Sequence, residues 1–126
     1  MQINWSPDQI STFSAADDLY ISPFYSDGKT PGTPTWIWSV TVDGNLYVRA
    51  YNGQHSTWFQ SAIKQEQGKI KIAGNEYNVT FQHVTHGSVL NKKIDQAYKR
   101  KYSSSKYLSH MLREGPISAT VKIKPL

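Results

Sequence analysis

The sequence of 126 residues contains no cysteine, and only 18% of its residues are charged. The lack of cysteine excludes disulfides, thiolate metal sites and a cysteine nucleophile. No stretch reaches the roughly eighteen consecutive apolar residues of a membrane span. The first twenty residues contain no apolar segment of the kind found in signal peptides. We therefore expect a soluble, cytoplasmic protein with no membrane partner.

Aromatic residues are abundant, at 13% of the chain, with four Trp and eight Tyr. This content, with 38% hydrophobic residues, predicts a well-filled core in a single domain over residues 1–126. The formal net charge of +5 favours an anionic partner, such as a phosphate-bearing small molecule or a nucleic acid.

The segment Trp36–Tyr51 has the alternating pattern of a β-hairpin that turns at Asp43-Gly44 or one residue later, at Gly44-Asn45, with the same side chains on each face in both cases. One face is aromatic and carries Trp36, Trp38, Val40, Val42, Tyr47, Arg49 and Tyr51. The other face is smaller and carries Ile37, Ser39, Thr41, Leu46, Val48 and Ala50. The small face suits the inside of a narrow barrel. The aromatic face needs cover from the chain's own helices, a second subunit or a flat ligand.

The remaining pattern predicts a mainly β, α+β protein. The expected elements are a helix from Ser6, strand Leu19–Tyr25, a loop over 26–34, a helix over 57–65, hairpin Lys69–His83 turning at Gly74-Asn75, a loop over 85–91, helices over 94–102 and 106–113 that end at Gly115-Pro116, and strand Ser118–Lys124. Six short, mostly antiparallel strands with one inserted helix predict a small six-stranded closed or split barrel with C-terminal helices.

Two places are candidates for binding an anion. The loop Ser26–Pro34 contains two glycines and Lys29, so its backbone N–H groups and one cation could meet a phosphate, although it also fits a simple connection. The start of the helix before Trp58 is the second candidate, because helix N-termini carry free N–H groups. Lys69 and Lys71 are interpreted as solvated charges at a sheet edge.

No catalytic residues can be assigned, and no metal site is expected. The sequence has no Ser-His-Asp pattern or nucleophile elbow. His83 and His86 lie at a strand end without a third ligand in sequence reach.

Several short motifs occur in an order that is similar to a known bacterial group. They are Gly28-Lys29, Thr33-Pro34-Thr35-Trp36, Leu46-Tyr47-Val48-Arg49, Gly53, Trp58-Phe59, Ala62, Ile94-Asp95, Ala97-Tyr98, Lys101-Tyr102 and the terminal run from Thr120 to Pro125. In order and spacing, the segment from Asp18 to Pro125 resembles the bacterial domain of unknown function 2255. That group is similar in turn to deazaflavin-dependent nitroreductases and to flavin-binding split barrels.

The resemblance implies a flavin-reductase-like split barrel, often a homodimer, that binds FMN or a deazaflavin. The cofactor phosphate is expected near Lys29, Thr33 and Thr35. The ring is expected among Trp36, Trp38, Arg49, Tyr51 and Asn52, with Trp58 at its border.

The leading hypothesis is therefore a flavin- or deazaflavin-dependent oxidoreductase. A dimeric barrel without cofactor, acting through protein partners, is one alternative. A β-barrel that binds single-stranded nucleic acid is another. The nucleic-acid alternative is disfavoured because the basic residues concentrate on 92–106, away in sequence from the aromatic hairpin.

Overall fold

A computed structural model describes residues 4–85 and 88–126 of the chain, with the side chain of Ser88 left out. The helices are α1 (Pro7–Ala15), α2 (Thr57–Gln65), α3 (Ser88–Lys101), α4 (Leu108–Met111) and α5 (Glu114–Ser118), with a 3₁₀ turn at Gly53–His55. The strands are β1 (Leu19–Pro23), β2 (Thr35–Ile37), β3 (Ser39–Val42), β4 (Asn45–Arg49), β5 (Gln67–Ile72), β6 (Asn75–His83) and β7 (Thr120–Pro125).

The seven strands form one antiparallel sheet in the order β2-β1-β5-β6-β7-β4-β3. The two ends of this order, β2 and β3, are consecutive in sequence and separated only by Trp38. The sheet therefore rolls up until its first and last strands are nearly continuous, which makes an almost closed barrel. This confirms the predicted split-barrel class.

The strand count is seven rather than the predicted six because the first strand of the central hairpin breaks at Trp38. Before the break, Trp36 pairs with Tyr20 of β1; after it, Ser39 pairs with Val48 of β4. The chain thus changes partners within two residues. The alternation of side chains continues through the break, so the sequence pattern contains no sign of it.

The two faces of the hairpin are as predicted. Ile37, Leu46, Val48 and Ala50 are buried inside the barrel with apolar residues of β1, β5, β6 and β7. Residues of the other face pack against α3 and α4 in a second cluster. That cluster contains Val40, Val42, Tyr47, Ile94, Ala97, Tyr98, Tyr102 and Met111. The chain's own helices therefore cover much of the aromatic face.

Residues from α1 and α2 complete the packing of the barrel interior. Trp5 and Phe13 pack edge-to-face at 5.0 Å between ring centroids, and Trp5 Nε1 donates to the Ile123 carbonyl at 2.8 Å. Trp58 and Phe59 of α2 join the same buried cluster. The predicted start of α1 is confirmed, because Ser6 and Gln9 form a reciprocal capping box there.

The second hairpin turns one residue earlier than predicted. Ile72 pairs with Asn75, so the turn residues are Ala73 and Gly74, with φ of 52° and 80°. Alanine rarely adopts positive φ, which is why the sequence favoured Gly74-Asn75. Asp18 Oδ1 accepts the Ala73 N–H at 3.0 Å and supports this turn.

The C-terminal helices also differ from the prediction. Helix α3 begins at Ser88 rather than near Ile94, and Leu90 continues its apolar stripe into the second cluster. Helix α4 covers only part of 106–113, and α5 contains the Gly115-Pro116 pair that was expected to end it. Pro116 is the third residue of α5, where a backbone N–H needs no partner in the helix. Part of the loop expected over 85–91 lies outside the described residues.

Lys69 and Lys71 do not lie at a sheet edge. Their strand, β5, pairs with β1 on one side and with β6 on the other. The interpretation as edge-protecting charges is therefore wrong, although both side chains point outward from the barrel.

Lys101 of α3 joins the strand break to the end of α1. Its Nζ donates to the Ser39 carbonyl at 2.7 Å and to the Phe13 carbonyl at 3.4 Å. Burial lowers the pKa of Lys101 to about 8, although the carboxylates of Asp17 and Asp18 act in the opposite direction. Burial also raises the pKa of the neighbouring Tyr102 phenol to about 12.

These pKa values predict a stability maximum in alkaline solution. Between about pH 8 and pH 10 the unfolded chain binds more protons at Lys101 than the folded one, so stability rises with pH. Above about pH 10 the unfolded tyrosines ionise while Tyr102 stays protonated, so stability falls. We expect the rise to be on the order of 1–3 kcal/mol in urea unfolding.

The variant Lys101→Met should remove the rise, whereas Lys99→Met, an exposed position on the same helix, should keep it. An unchanged rise in Lys101→Met would show that another group causes it.

Candidate functional site

A cleft of about 430 Å³ lies where the aromatic face of the hairpin emerges from under the C-terminal helices. Its lining residues are Trp36, Ile37, Trp38, Arg49, Tyr51, Ser105, Tyr107 and Met111. The surface of this cleft is mostly apolar. It brings together four of the nine residues expected to bind a cofactor, namely Trp36, Trp38, Arg49 and Tyr51.

Trp36 and Trp38 are fixed in different ways. Trp36 Nε1 donates to the Asp17 carbonyl at 2.8 Å, yet the residue remains 52% exposed. Trp38 stacks on Tyr102 with 4.1 Å between centroids and 4° between planes. One indole is thus an ordered but open surface, and the other belongs to an aromatic stack that continues into the second cluster.

Tyr51 and Tyr107 form the opposite part of the rim. Their rings meet edge-to-face at 6.2 Å, and Tyr51 also packs on the His110 ring at 4.0 Å. His110 Nε2 lies 2.6 Å from the Tyr51 carbonyl, which ties α4 to the end of β4. Both tyrosines remain about half exposed, at 42% and 50%.

Arg49 borders the cleft with a side chain that is fully engaged in the fold. Its guanidinium donates to Asp95 Oδ1 at 2.5 Å and, through Nε, to Thr120 Oγ1 at 3.1 Å. It also donates to the carbonyls of Met111 and Asn91, both at 3.3 Å. The Arg49 side chain is inaccessible to solvent, so its charge is neutralised inside the protein before any ligand arrives.

Three other predicted residues, Thr33, Thr35 and Trp58, border a separate hollow of about 170 Å³. Lys29 and Asn52 are exposed and line neither this hollow nor the cleft. Thr35 and Trp36 are adjacent in β2, so the two hollows adjoin through the backbone of that strand. The predicted ring residues and the predicted phosphate residues are therefore near each other without sharing one cavity.

The loop that was a candidate anion site already uses its backbone N–H groups within the chain. Asp27 Oδ1 accepts the N–H groups of Lys29 at 3.0 Å and Thr30 at 2.9 Å, and Asp27 also bonds the Thr30 hydroxyl. These hydrogen bonds lower the pKa of the Asp27 carboxyl. Gly28 and Gly32 donate to the carbonyls of Tyr25 and Pro23, both at 2.9 Å. A phosphate at this loop would meet side chains rather than these N–H groups.

The helix start before Trp58, the second candidate anion site, has no side-chain cap. Ser56 is the N-cap residue of α2, but its side chain makes no capping hydrogen bond and Thr57 lies inside the helix. Trp58 itself is largely buried in the barrel cluster.

Sequence reasoning missed the second half of the cleft. Ser105, Tyr107 and Met111 come from the segment around α4, about sixty residues after the hairpin. Tyr107 and Met111 are four residues apart, a spacing that predicts an apolar side of a helix. It does not reveal that this side faces the aromatic hairpin. Asp95, the acid that neutralises Arg49, has no sequence signal that links it to the hairpin.

Breaking the buried ion pair should destabilise the fold strongly. Removing the carboxylate with Asp95→Ala leaves the Arg49 charge buried without a counter-charge, and we expect a loss of about 3–5 kcal/mol in urea unfolding. The double variant Arg49→Met with Asp95→Ala should lose less than the two single variants added together.

The exposed pair between Lys93 and Asp43, at 3.0 Å, is the matched control. Lys93→Ala should change stability by no more than about 1 kcal/mol. If Asp95→Ala lowers the free energy of unfolding as little as Lys93→Ala does, the Arg49 guanidinium must bind water or another acceptor in the variant.

Two further properties concern the described residues alone. Within 4–85 and 88–126, no group of three or more His, Asp or Glu side chains could hold a metal ion, and His86 lies outside these ranges. In the same ranges, every helix is too short or too polar to cross a membrane.

Comparison with known proteins shows the family of the chain. The sequence matches no curated protein. Residues 9–123 match a family described as uncharacterized protein conserved in bacteria (DUF2255). This match covers nearly the full length of the chain, with all seven strands and the cleft within it or at its border. The protein therefore belongs to the DUF2255 family.

Proposed function

We propose that the aromatic cleft binds the planar ring of FMN or a deazaflavin, and that the protein acts as an oxidoreductase with that cofactor. The observation that supports this most is the open rim of Trp36, Tyr51 and Tyr107. Three ordered aromatic side chains that are each about half exposed around one concave surface are costly in water unless something flat covers them. The cytoplasmic location expected from the sequence stays a prediction.

The size and chemistry of the cleft suit a ring better than a flexible chain. Its volume of about 430 Å³ lies within the usual range of roughly 300–1,000 Å³ for small-molecule sites. Aromatic walls stack on planar ligands, and the Tyr51, Tyr107 and Ser105 hydroxyls offer hydrogen bonds at the rim.

The charges near the cleft favour a neutral ring inside it and a phosphate outside it. The Arg49 charge is paired with Asp95, so Arg49 does not draw an anion into the cleft, and the nearest free cation at the rim among the described residues is Lys106, whose Nζ lies 5.2 Å from the centre of the Tyr107 ring. The three exposed residues expected to meet the phosphate precede Trp36 in the chain: Lys29 and Thr33 in the loop before β2, and Thr35 at the start of β2. A phosphate tail would reach them by passing the edge of the Trp36 indole.

In this proposal the cofactor and the protein have different roles. A bound flavin or deazaflavin would supply hydride transfer. The residues of this chain would position the ring, exclude water from one side through Trp38 and Met111, and leave the other side open to a substrate. No acid or base is needed from the protein for that step, so the lack of a catalytic pattern in the sequence agrees with the proposal.

A fluorescence titration of the wild-type protein and two single-residue variants tests the cleft. Wild-type protein is titrated with FMN and, separately, with a deazaflavin while tryptophan fluorescence is followed. We expect saturable quenching with one of the two and at least about a fivefold loss of affinity in Tyr107→Ala, since stacking on one aromatic side chain contributes about 1 kcal/mol.

Val89→Ala is the control, because Val89 is an exposed apolar residue of α3 that lines neither the cleft nor the hollow of Thr33 and Thr35. It should bind as the wild type does. Absence of saturable quenching with either cofactor would refute the proposed function, and equal losses in both variants would place binding elsewhere.

We also propose that the protein is a homodimer, with the cleft rim near the second subunit. Exposed aromatic residues beside a ligand site are common where a partner completes the site. Light scattering during gel filtration should give about twice the 14.3 kDa of one chain. A Tyr107→Arg variant should reduce that mass to one chain, and a monomeric wild type would contradict the proposal.

A further inference from the structure

The outer surface of the barrel carries four lysines on two strands. Lys69 and Lys71 alternate along β5, and Lys122 and Lys124 alternate along β7. Strand β6 lies between them, and each lysine is paired with one of its outward residues. Those residues are Asn78, Glu76, Gln82 and Thr80, in the order of the lysines. We call these four lysines the lysine face.

The lysine face has little compensating charge. Glu76 is the single acid among the outward residues of β6, and it forms no ion pair with Lys71. Lys124 Nζ donates to Asn4 Oδ1 at 3.2 Å, which is a neutral partner. Burial and then the nearby Lys124 charge lower the pKa of Lys122, as expected where cations crowd together. Lysines of the same strand are about 7 Å apart, and β5 and β7 are about 10 Å apart across β6. The two pairs are staggered, because Lys69 and Lys71 lie opposite Asn78 and Glu76 whereas Lys124 and Lys122 lie opposite Thr80 and Gln82.

Two exposed aromatic residues continue the same surface. Trp36 of β2 pairs with Tyr20 of β1, and Tyr20 pairs with Lys71 of β5. Directly paired residues point to the same side of a sheet with Cβ atoms about 5 Å apart. Tyr20 is therefore an open ring between a fixed indole and a lysine.

A groove of about 480 Å³ runs along this part of the surface. The loop residues Pro31, Gly32 and Pro34 form one wall, and outward side chains of β1 and β5 form the other. The groove holds the Ser22 and Tyr20 hydroxyls together with Lys69 and Lys71, and the Glu76 carboxylate lies at its border. It is more polar than the cleft, and Trp36 belongs to the cleft but not to the groove.

We propose that the lysine face and the groove bind single-stranded nucleic acid, with phosphates over the lysines and a base stacked on Tyr20. Basic residues beside exposed aromatic rings on an antiparallel sheet are the usual means of binding single strands without sequence preference. The sequence had disfavoured this function because the basic residues over 92–106 lie away in sequence from the aromatic hairpin. The fold brings different lysines, from β5 and β7, next to Tyr20.

A second copy of the chain is the less suitable occupant of this face. A two-fold interface presents the same patch on both subunits. Four lysines would then meet four lysines, and like charges in an interface are costly. An anionic strand removes that repulsion, and the proposal is independent of whether the cleft binds a flavin.

The test measures fluorescence anisotropy of labelled oligothymidylate and oligouridylate of about twelve nucleotides, a usual site size, over a series of salt concentrations. Wild-type protein should bind both, with log K falling linearly against log salt. The pairs Lys69→Gln with Lys71→Gln, and Lys122→Gln with Lys124→Gln, should each lower the slope by about 0.7 per lysine. Tyr20→Ala should weaken binding at least about fivefold and leave the slope unchanged.

The control is Lys92→Gln with Lys99→Gln, which removes the same charge from exposed positions of α3. It should leave both affinity and slope as in the wild type. The proposal is overturned if no saturable binding is seen at low salt, or if the lysine pairs on the strands and the pair on α3 have equal effects. It is also overturned if a duplex binds equally well and Tyr20→Ala has no effect. Loss of a wild-type dimer in the lysine variants would assign the face to a second subunit and would also overturn it.

Discussion

The fold depends on how the chain satisfies its backbone where β2 becomes β3. At Trp38-Ser39 the strand leaves β1 and joins β4, so backbone groups at the change lose their ladder partners, and unpaired buried groups of this kind are costly. Helix α3 replaces those partners with side chains. The Tyr102 hydroxyl contacts both Ser39 N and Ser39 O, at 3.2 and 3.3 Å, and Lys101 Nζ donates to the same carbonyl. Tyr98 donates to the Trp38 carbonyl at 3.4 Å. One helix thus closes the barrel.

The position of the cleft follows from that role of α3. The helix lies over β3, where Tyr98, Lys101 and the following Tyr102 bond the backbone at Trp38-Ser39. In this position it covers Val40, Val42 and Tyr47. It does not extend over the two ends of the aromatic face, at Trp36 and Tyr51, which stay open. The segment around α4 then adds Tyr107 and Met111 from the side. The cleft is the part of the aromatic face that remains uncovered once the barrel is closed.

The sequence predicted features that depend on neighbours along the chain. The two-faced hairpin, a turn at Asp43-Gly44 and the start of α1 at Ser6 follow from local periodicity and local hydrogen bonds, and the structure confirms them. The strand break was not predictable, because side-chain parity is the same on both sides of Trp38. For the candidate site, Trp36, Trp38, Arg49 and Tyr51 came from one hairpin and do share a cleft. Tyr107 and Asp95 reach it through helix packing, which no spacing in the sequence reveals.

The charge distribution separates two kinds of surface on one small barrel. Arg49 is paired with Asp95 and also donates to neutral oxygen acceptors, so it gives the cleft an aromatic and apolar wall rather than a free charge. The lysines of β5 and β7 form no ion pair within the described residues, although Glu76 of β6 lies opposite Lys71. Trp36 stands at the junction, since it lines the cleft and pairs with Tyr20 beside the lysine face. The hydrogen bond from its Nε1 to the Asp17 carbonyl holds the indole in this position between the two surfaces.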